Sequence, residues 1–348
     1  MWLQTSHSPP STVITSMTAG IIVPTVNIEI SPRVHIGLIS MHAGASRKNG
    51  GLGFAVEGPT AAIKTTSSQR SVVLDRRQKP MHEQEIERLR QQLEHVKQQL
   101  ELSSSGTFEI TGSLLTHFGM GSGTAIKLAC IEGLLKVNRR TARTEDLIRL
   151  SRRGGTSGVG ISTYFYGGFA FDLGIVGGLS HQFVPSSMGA SGALPLQLHR
   201  QNLPEWPLGL CLPRKCEPKS QEEEIDFFRR STPLPSAKSF EAAYVAVFEV
   251  LASLMERDYP SFCQAISAMQ ETEWKRLERA EYAPHIDRTA KALRELGVDC
   301  VGMSSLGPLL YFFASSDSLK RVYAHSEQLD ADIFLTVPKN SGRRMTSS

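Results

Sequence analysis

Along the first eighty residues the apolar positions recur mostly every second residue; from residue 81 spacings of three and four enter. Residues 21–30 (IIVPTVNIEI) read as a strand, with Pro24 placing it at an edge or a bulge. In residues 31–39, Val34, Ile36 and Leu38 alternate with Arg33, His35 and Gly37. That predicts a strand with one apolar face and an opposite face carrying Arg33 and His35. Residues 50–59, 61–66 and 70–74 continue as strands. From residue 81 to 101 the period changes: Ile86, Leu89, Leu93, Val96 and Leu100 stand three and four apart among Glu, Gln, Lys and Arg. This is an amphipathic helix, started near Pro80 and ended by residues 103–106, and too short for a free coiled coil. Residues 108–116 return to strand. Residues 144–150 read as a short helix with Glu145 and Asp146 in its first turn, and 164–172 (YFYGGFAFD) as an aromatic strand.

The second half alternates differently. Residues 208–212 form a short strand, and 218–230 read as an acidic polar connection. Helices are expected over 240–257, 259–272, 285–296 and 318–327, and strands over 299–304, 309–313 and 333–337. The mixture makes an α+β protein.

Composition then narrows the class. The 348 residues carry a net charge of only +4, too little to argue for nucleic acid but suited to a site that holds anions. No apolar run approaches the roughly 20 residues of a membrane span, and the N-terminus lacks the basic start and apolar core of a signal peptide. The cysteines Cys130, Cys211, Cys216, Cys263 and Cys300 are scattered and odd in number, as in a reduced, cytoplasmic protein.

Candidate chemistry gathers on two glycine-rich stretches. Residues 117–130 read HFGMGSGTAIKLAC. A strand leads into Gly119, Gly121 and Gly123, and Thr124 is positioned to cap a helix continuing through Ile126, Leu128 and Ile131. Strand, glycine turn and helix N-terminus present free N–H groups to an anion, so Gly119, Gly121, Ser122, Gly123 and Thr124 are candidate phosphate or pyrophosphate ligands. The stretch matches neither GxxxxGKS/T nor GxGxxG. The second stretch, residues 152–160 (RRGGTSGVG), adds Arg152, Arg153, Gly154, Gly155, Thr156 and Ser157. Arginine, hydroxyls and glycine together suit phosphate oxygens, as does Arg33 on its strand.

The order of four features resembles the GHMP kinase superfamily: an early β-rich segment, the GMGSGTA loop, a TSGVG loop and a late SSLGP turn. The resemblance spans residues 21 to 342. It implies a ribosomal-protein-S5-like N-terminal domain (21–200) and a ferredoxin-like C-terminal domain (201–342), between a disordered segment (1–20) and a tail (343–348). In those kinases the second loop reads roughly PSGxD, with a catalytic Asp; here Gly160 stands in that place. Within the superfamily, SPRVHIGLI, GGLGFAVE, GMGSGTAIKLA, RRGGTSGVGI, GGFAFD, VPSS and MSSLGP look like the β-ribofuranosylaminobenzene 5′-phosphate synthases. The C-nucleoside synthases of formycin and pyrazofurin type resemble that group too. The stretch Asp172-Leu173-Gly174, with the next histidine at His181, tilts the expectation toward a heteroaromatic acceptor.

The resemblance implies that phosphoribosyl pyrophosphate meets an aromatic carboxylate. Pyrophosphate and carbon dioxide leave as a C–C bond forms, in a homodimer. Mg²⁺ is expected, held mainly by the diphosphate, with Ser122 and Glu132 as candidate ligands. For any proton transfer, His35 and Asp172 are the candidate groups. Ser186, Ser187, Ser304, Ser305, Lys339 and Asn340 are candidates for binding acceptor carboxylate or ribose phosphate.

Overall fold

The β-rich start folds as the alternation predicts. A computed structural model describes residues 25–153, 155–177, 183–185 and 194–347. The expectations for residues 1–20, for the start of the first strand with Pro24, and for Gly154, His181, Ser186 and Ser187, lie outside the described residues. The strands β1 (Thr25–Ile30), β2 (Arg33–Ser40), β3 (Arg47–Ala55), β4 (Ala61–Ser68) and β5 (Val72–Asp75) come first. Helix α1 (Glu83–Gln99) follows, burying Leu89, Leu93 and Val96. Each such side chain contributes roughly 1.5–3 kcal/mol on burial. Then come β6 (Ser105–Gly112), α2 (Ser122–Val137), α3 (Thr144–Ser151), α4 (Val159–Tyr166), β7 (Phe169–Asp172), β8 (Ile175–Val176) and β9 (Gln197–Gln201).

The second half holds β10 (Leu208–Pro213), α5 (Gln221–Ser231), α6 (Ser236–Tyr244), a π-helical stretch (Val245–Leu251), α7 (Ala252–Glu256), α8 (Tyr259–Gln270), α9 (Glu273–Ala280) and α10 (His285–Glu295). It ends with β11 (Cys300–Met303), β12 (Leu310–Phe313), α11 (Ser316–Ala324), β13 (Ala331–Thr336) and β14 (Arg344–Ser347).

Three sheets result. One runs β14-β1-β4-β6-β5, a second β2-β3-β7-β9 with β8 on β3, and the third, in the second half, β11-β12-β10-β13. β2 departs from the expected one-sided strand: six of its eight residues are buried, on both faces. A β-bulge between His35 and Gly37 interrupts its alternation, and α4, α6, α8 and α9 all pack on it. β2 is thus the seam on which the two halves meet.

Four expectations fail for identifiable reasons. Residues 164–166 belong to helix α4, not to an aromatic strand. Gly167 and Gly168 both take positive φ, 69° and 66°, and there the chain switches from helix to strand. The acidic connection 218–230 contains helix α5, opened by a capping box in which the Glu223 N–H donates to Ser220 Oγ at 3.2 Å and the Ser220 N–H to Glu223 Oε2 at 2.8 Å. Part of the tail is strand β14, paired antiparallel with β1 from Val26↔Ser347 to Glu29↔Arg344. Residues 113–116 leave the strand, held by Arg77, whose guanidinium donates to the Leu114 carbonyl at 2.6 Å and to Thr116 Oγ1 at 3.0 Å. All five cysteines are free and buried. Among the described residues no helix is long and apolar enough to cross a membrane.

Candidate active site

The first glycine turn is built against Arg33 and the 304–307 turn. Helix α2 begins three residues earlier than the capping reading expects: its N-cap is Gly121 at φ 70°, not Thr124, and no side chain caps it. Ser122, Gly123 and Thr124 are therefore first-turn residues whose N–H groups no capping side chain claims. A Cβ at Gly121 would stand 2.6 Å from Arg33 Cγ, so the turn closes over Arg33 only because glycine is there. Arg33 donates its own N–H to the Met120 carbonyl at 2.9 Å and Nη1 to the Gly119 carbonyl at 3.0 Å. Its Nε is buried without a hydrogen-bond partner. Ser304 ties the pieces together: its hydroxyl donates to the Gly119 carbonyl at 2.7 Å and accepts the His35 N–H at 3.0 Å.

Around this turn lies a cleft of two adjoining compartments. The outer one is lined by Arg33, His117, Gly119, Gly121, Ser122, Gly123, Thr124, Arg153, Lys219, Glu224 and Ser305 among others. Arg33, Arg153 and Lys219 bring positive charge to it, and His117 is a fourth cation when protonated. His117 sits at φ 68° and meets Glu85 of α1 at 2.5 Å. That contact, above all, raises the imidazole's pKa. Burial acts on the arginines in the opposite sense, pulling Arg33 down to about 10 and lowering Arg153. Cations held out of water beside bare helix N–H groups are stabilised by an anion.

The inner compartment is lined by His35, Leu38, Thr156, Ser157, Gly160, Phe228 and Glu278, and shares Arg33, Thr124, Glu224, Ser305 and Leu306 with the outer one. Here the second glycine stretch enters. His35 Nε2 lies 3.2 Å from Ser157 Oγ, which donates to Asp172 Oδ2 at 3.1 Å. The serine stands between imidazole and carboxylate, so this is not a nucleophilic triad. With Ser157 donating to Asp172, His35 carries its proton on Nε2 and donates to Ser157. Burial, then Arg33 and Lys275, hold His35 well below its ordinary pKa, so it is neutral. Burial pushes Asp172 up to about 6 against the N–H groups of Gly174 and Gly158, each 2.8 Å away.

Several sequence candidates fall outside the cleft. Asp172 lines neither compartment and touches the inner one only through the hydrogen bond it accepts from Ser157. Arg152 is exposed, the left-handed C-cap of α3. Gly155 lies behind the loop, its carbonyl accepting from Asn49 Nδ2 at 2.8 Å. Glu132 is no metal ligand: it sits deep in α2, bound by Arg343 at 2.5 Å and by the Tyr164 hydroxyl at 2.7 Å. Lys339 pairs with Glu57 at 3.0 Å, and Asn340 brackets the backbone of Leu203 through Oδ1 at 2.8 Å and Nδ2 at 2.9 Å. Both are structural, as is Ser304, whereas Ser305 faces the cleft. Sequence reading missed His117, Lys219, Glu224 and Glu278. The capping box at Ser220 and Glu223 was a legible sign of a helix start that would have drawn attention to Lys219 and Glu224.

Two solved structures share this architecture. A homoserine kinase from Cytophaga hutchinsonii superposes with a TM-score of 0.66 at 16% identity, covering 92% of this chain and 97% of that one. A mevalonate diphosphate decarboxylase from Staphylococcus aureus gives 0.63 at 13% identity, covering 93% and 98%. The chain has the two-domain GHMP kinase fold. In sequence it is similar to the β-ribofuranosylphenol 5′-phosphate synthase of Archaeoglobus fulgidus, 29% identical over 287 residues, 82% of this chain and 87% of the relative. It is also similar to the synthase of that name from Methanothermobacter thermautotrophicus, 26% identical with the same coverage. No protein-family model matches. The protein is therefore a GHMP-fold relative of the β-ribofuranosylphenol 5′-phosphate synthases.

Proposed function

We propose that this protein is a decarboxylating phosphoribosyltransferase. It joins phosphoribosyl pyrophosphate to an aromatic or heteroaromatic carboxylate through a C–C glycosidic bond and releases pyrophosphate and carbon dioxide. The observation that carries this reading is the pairing of a cationic, N–H-lined cradle with a vacant position at Gly160. The nearest atoms to a Cβ built at Gly160 are Thr124 Cγ2 at 3.7 Å and Arg33 Nε and Thr124 Cβ at 3.8 Å, so the position has room for a side chain but carries no carboxylate of its own. A kinase needs that group to orient and deprotonate a hydroxyl; a reaction whose barrier is departure of diphosphate does not.

In this mechanism the first turn of α2, Arg33, Arg153, Lys219 and protonated His117 take up charge as the anomeric C–O bond breaks. The oxygens of Ser122 and Glu224 in the outer compartment would help hold a Mg²⁺ ion arriving with the diphosphate, and that ion would supply further charge neutralisation. The acceptor ring enters the inner compartment, whose apolar lining is Leu38, Phe228 and Leu306 and whose volume of about 40 Å³ must widen to hold it. Its carboxylate-bearing carbon gives an electron pair to the anomeric carbon. The C–C bond to the carboxylate then breaks and returns a pair to the ring, so no base is required at that carbon. His35 stays neutral beside the ring, and Asp172 keeps the 157–158 turn in place.

A heteroaromatic acceptor of the pyrazole type is the finer form of this proposal. Incubation with phosphoribosyl pyrophosphate, Mg²⁺ and either 4-aminobenzoate, 4-hydroxybenzoate or pyrazole-3,5-dicarboxylate is expected to release pyrophosphate and carbon dioxide in equal amounts. Release of neither product with every acceptor, together with ATP turnover on an alcohol, would refute it.

A further inference from the structure

The inner compartment has a wall the reaction as described does not use. Glu278, on α9, lines it but does not line the outer one. It is 2% exposed, fixed by the Trp274 indole N–H on Oε1 at 2.9 Å and by Lys275 Nζ on Oε2 at 2.6 Å. Lys275 is fully buried and also donates to the Met303 carbonyl at 2.6 Å. A buried ion pair of this kind is rarely worth its desolvation for stability alone. Each carboxylate oxygen has a second lone-pair direction, so Glu278 can still accept from a ligand. Around it the compartment is lined by apolar (Leu38, Phe228, Leu306) and hydroxylic (Thr156, Ser157) side chains, by Arg33 and His35, and by a second carboxylate, Glu224, which unlike Glu278 also lines the outer compartment.

We infer that Glu278 is the specificity-determining residue for the acceptor: it accepts a hydrogen bond from a ring N–H or O–H group on the side of the ring away from the diphosphate. This rests on the transferase reading for the identity of the site. The physical reason is the direction of electron flow. A ring carbon that attacks the anomeric centre leaves positive charge on the ring and its donor heteroatom, and a fixed carboxylate beside that heteroatom stabilises the charge as it grows. A pocket built to accept that hydrogen also rejects rings that lack it, because the alternative is an apolar methyl against a buried carboxylate. Trp274 and Lys275 are positioning residues that hold the carboxylate's orientation.

Calorimetric binding to the full-length chain tests this without turnover, using matched probes: 4-aminobenzoate against 4-dimethylaminobenzoate, and pyrazole-3,5-dicarboxylate against its N-methyl derivative. The dimethyl compound keeps the electron donation and replaces each N–H by a methyl. Wild type is expected to bind the N–H member of at least one pair tenfold or more tightly. Glu278→Gln, and a Lys275→Met/Glu278→Leu double variant that removes both buried charges, are expected to shrink that ratio below threefold while thermal melts show a folded chain. Equal binding of both members by wild type, no binding of any ring, or full discrimination in a folded Glu278→Gln variant would overturn the inference. Pyrophosphate release is read in parallel. Discrimination without turnover would refute the transferase reading and leave Glu278's role standing; turnover without discrimination would do the reverse.

Discussion

At Gly307 a single hydrogen atom is all the fold can accommodate. A Cβ there would stand 2.2 Å from the Gly119 nitrogen and 2.5 Å from the Phe118 carbonyl carbon, all backbone. The 304–307 turn and the first glycine turn interlock, so one cannot yield without moving the other. Gly307→Ala is therefore expected to lower unfolding free energy by the upper end of the about 1–3 kcal/mol typical of overpacking, and to weaken pyrophosphate binding with it. Gly160→Ala, which has room for its methyl, should keep wild-type stability in the same urea titration. His117 gives the other residue-scale prediction. Its folded pKa is raised above 6.5, chiefly by Glu85, and that of Glu85 is lowered from 4.5. The stabilisation from His117 is therefore complete below 6.5 and is lost as pH rises through the raised folded value. That from Glu85 is present above 4.5 and is lost on acidification. Pyrophosphate also titrates, so the informative quantity is the ratio of its affinity for wild type to that for His117→Gln. The ratio should exceed one at pH 6 and fall toward one by pH 9; a flat ratio would remove the imidazolium from the anion site.

Whole elements were legible in proportion to how local their causes are. Helix α1 could be read from Ile86, Leu89, Leu93, Val96 and Leu100 because its apolar stripe is its own. The glycine turn before α2 was legible for the same reason, since a run of glycines admits few local structures. Strand β14 was not: its residues are Arg344–Ser347 (RMTS), mostly exposed, and only the long-range partner β1 makes them a strand. The same holds for Glu132, which offers a carboxylate in sequence but is claimed by Arg343, 211 positions later. Nor does any local pattern announce Glu278, since its place depends on α9 packing across the chain onto β2. Arg343 makes the point measurable. Arg343→Ala strips a buried carboxylate of its cation and is expected to cost about 3 kcal/mol, the low end for such pairs, because Tyr164 still donates to Glu132. Arg343→Ala combined with Glu132→Gln should recover part of that loss in urea unfolding.

For the molecule as a whole, the cleft is where the two halves are joined, and its ligand should therefore report on their joining. β2, α2 and the 152–160 stretch come from the first half; Lys219, Glu224, Phe228, Glu278 and Ser305 come from the second. An anion that bridges these walls binds the folded chain and has no comparable site once they separate. Linkage then gives about 2.7 kcal/mol of stabilisation at a ligand concentration of one hundred times Kd, which in a chain of this size amounts to a rise of several degrees in Tm. The net charge of +4 is small, so the attraction must come from the local cluster of Arg33, Arg153, Lys219 and His117, not from the surface at large. Two consequences distinguish that cluster from general basicity. Added salt should weaken the effect only modestly, because buried charges are poorly screened. Arg33→Met should abolish it, although that substitution changes net charge by one unit only. In scanning calorimetry with Mg²⁺ and pyrophosphate, a Tm rise that survives Arg33→Met but vanishes at high ionic strength would assign the anion to the surface and leave the cleft without its ligand.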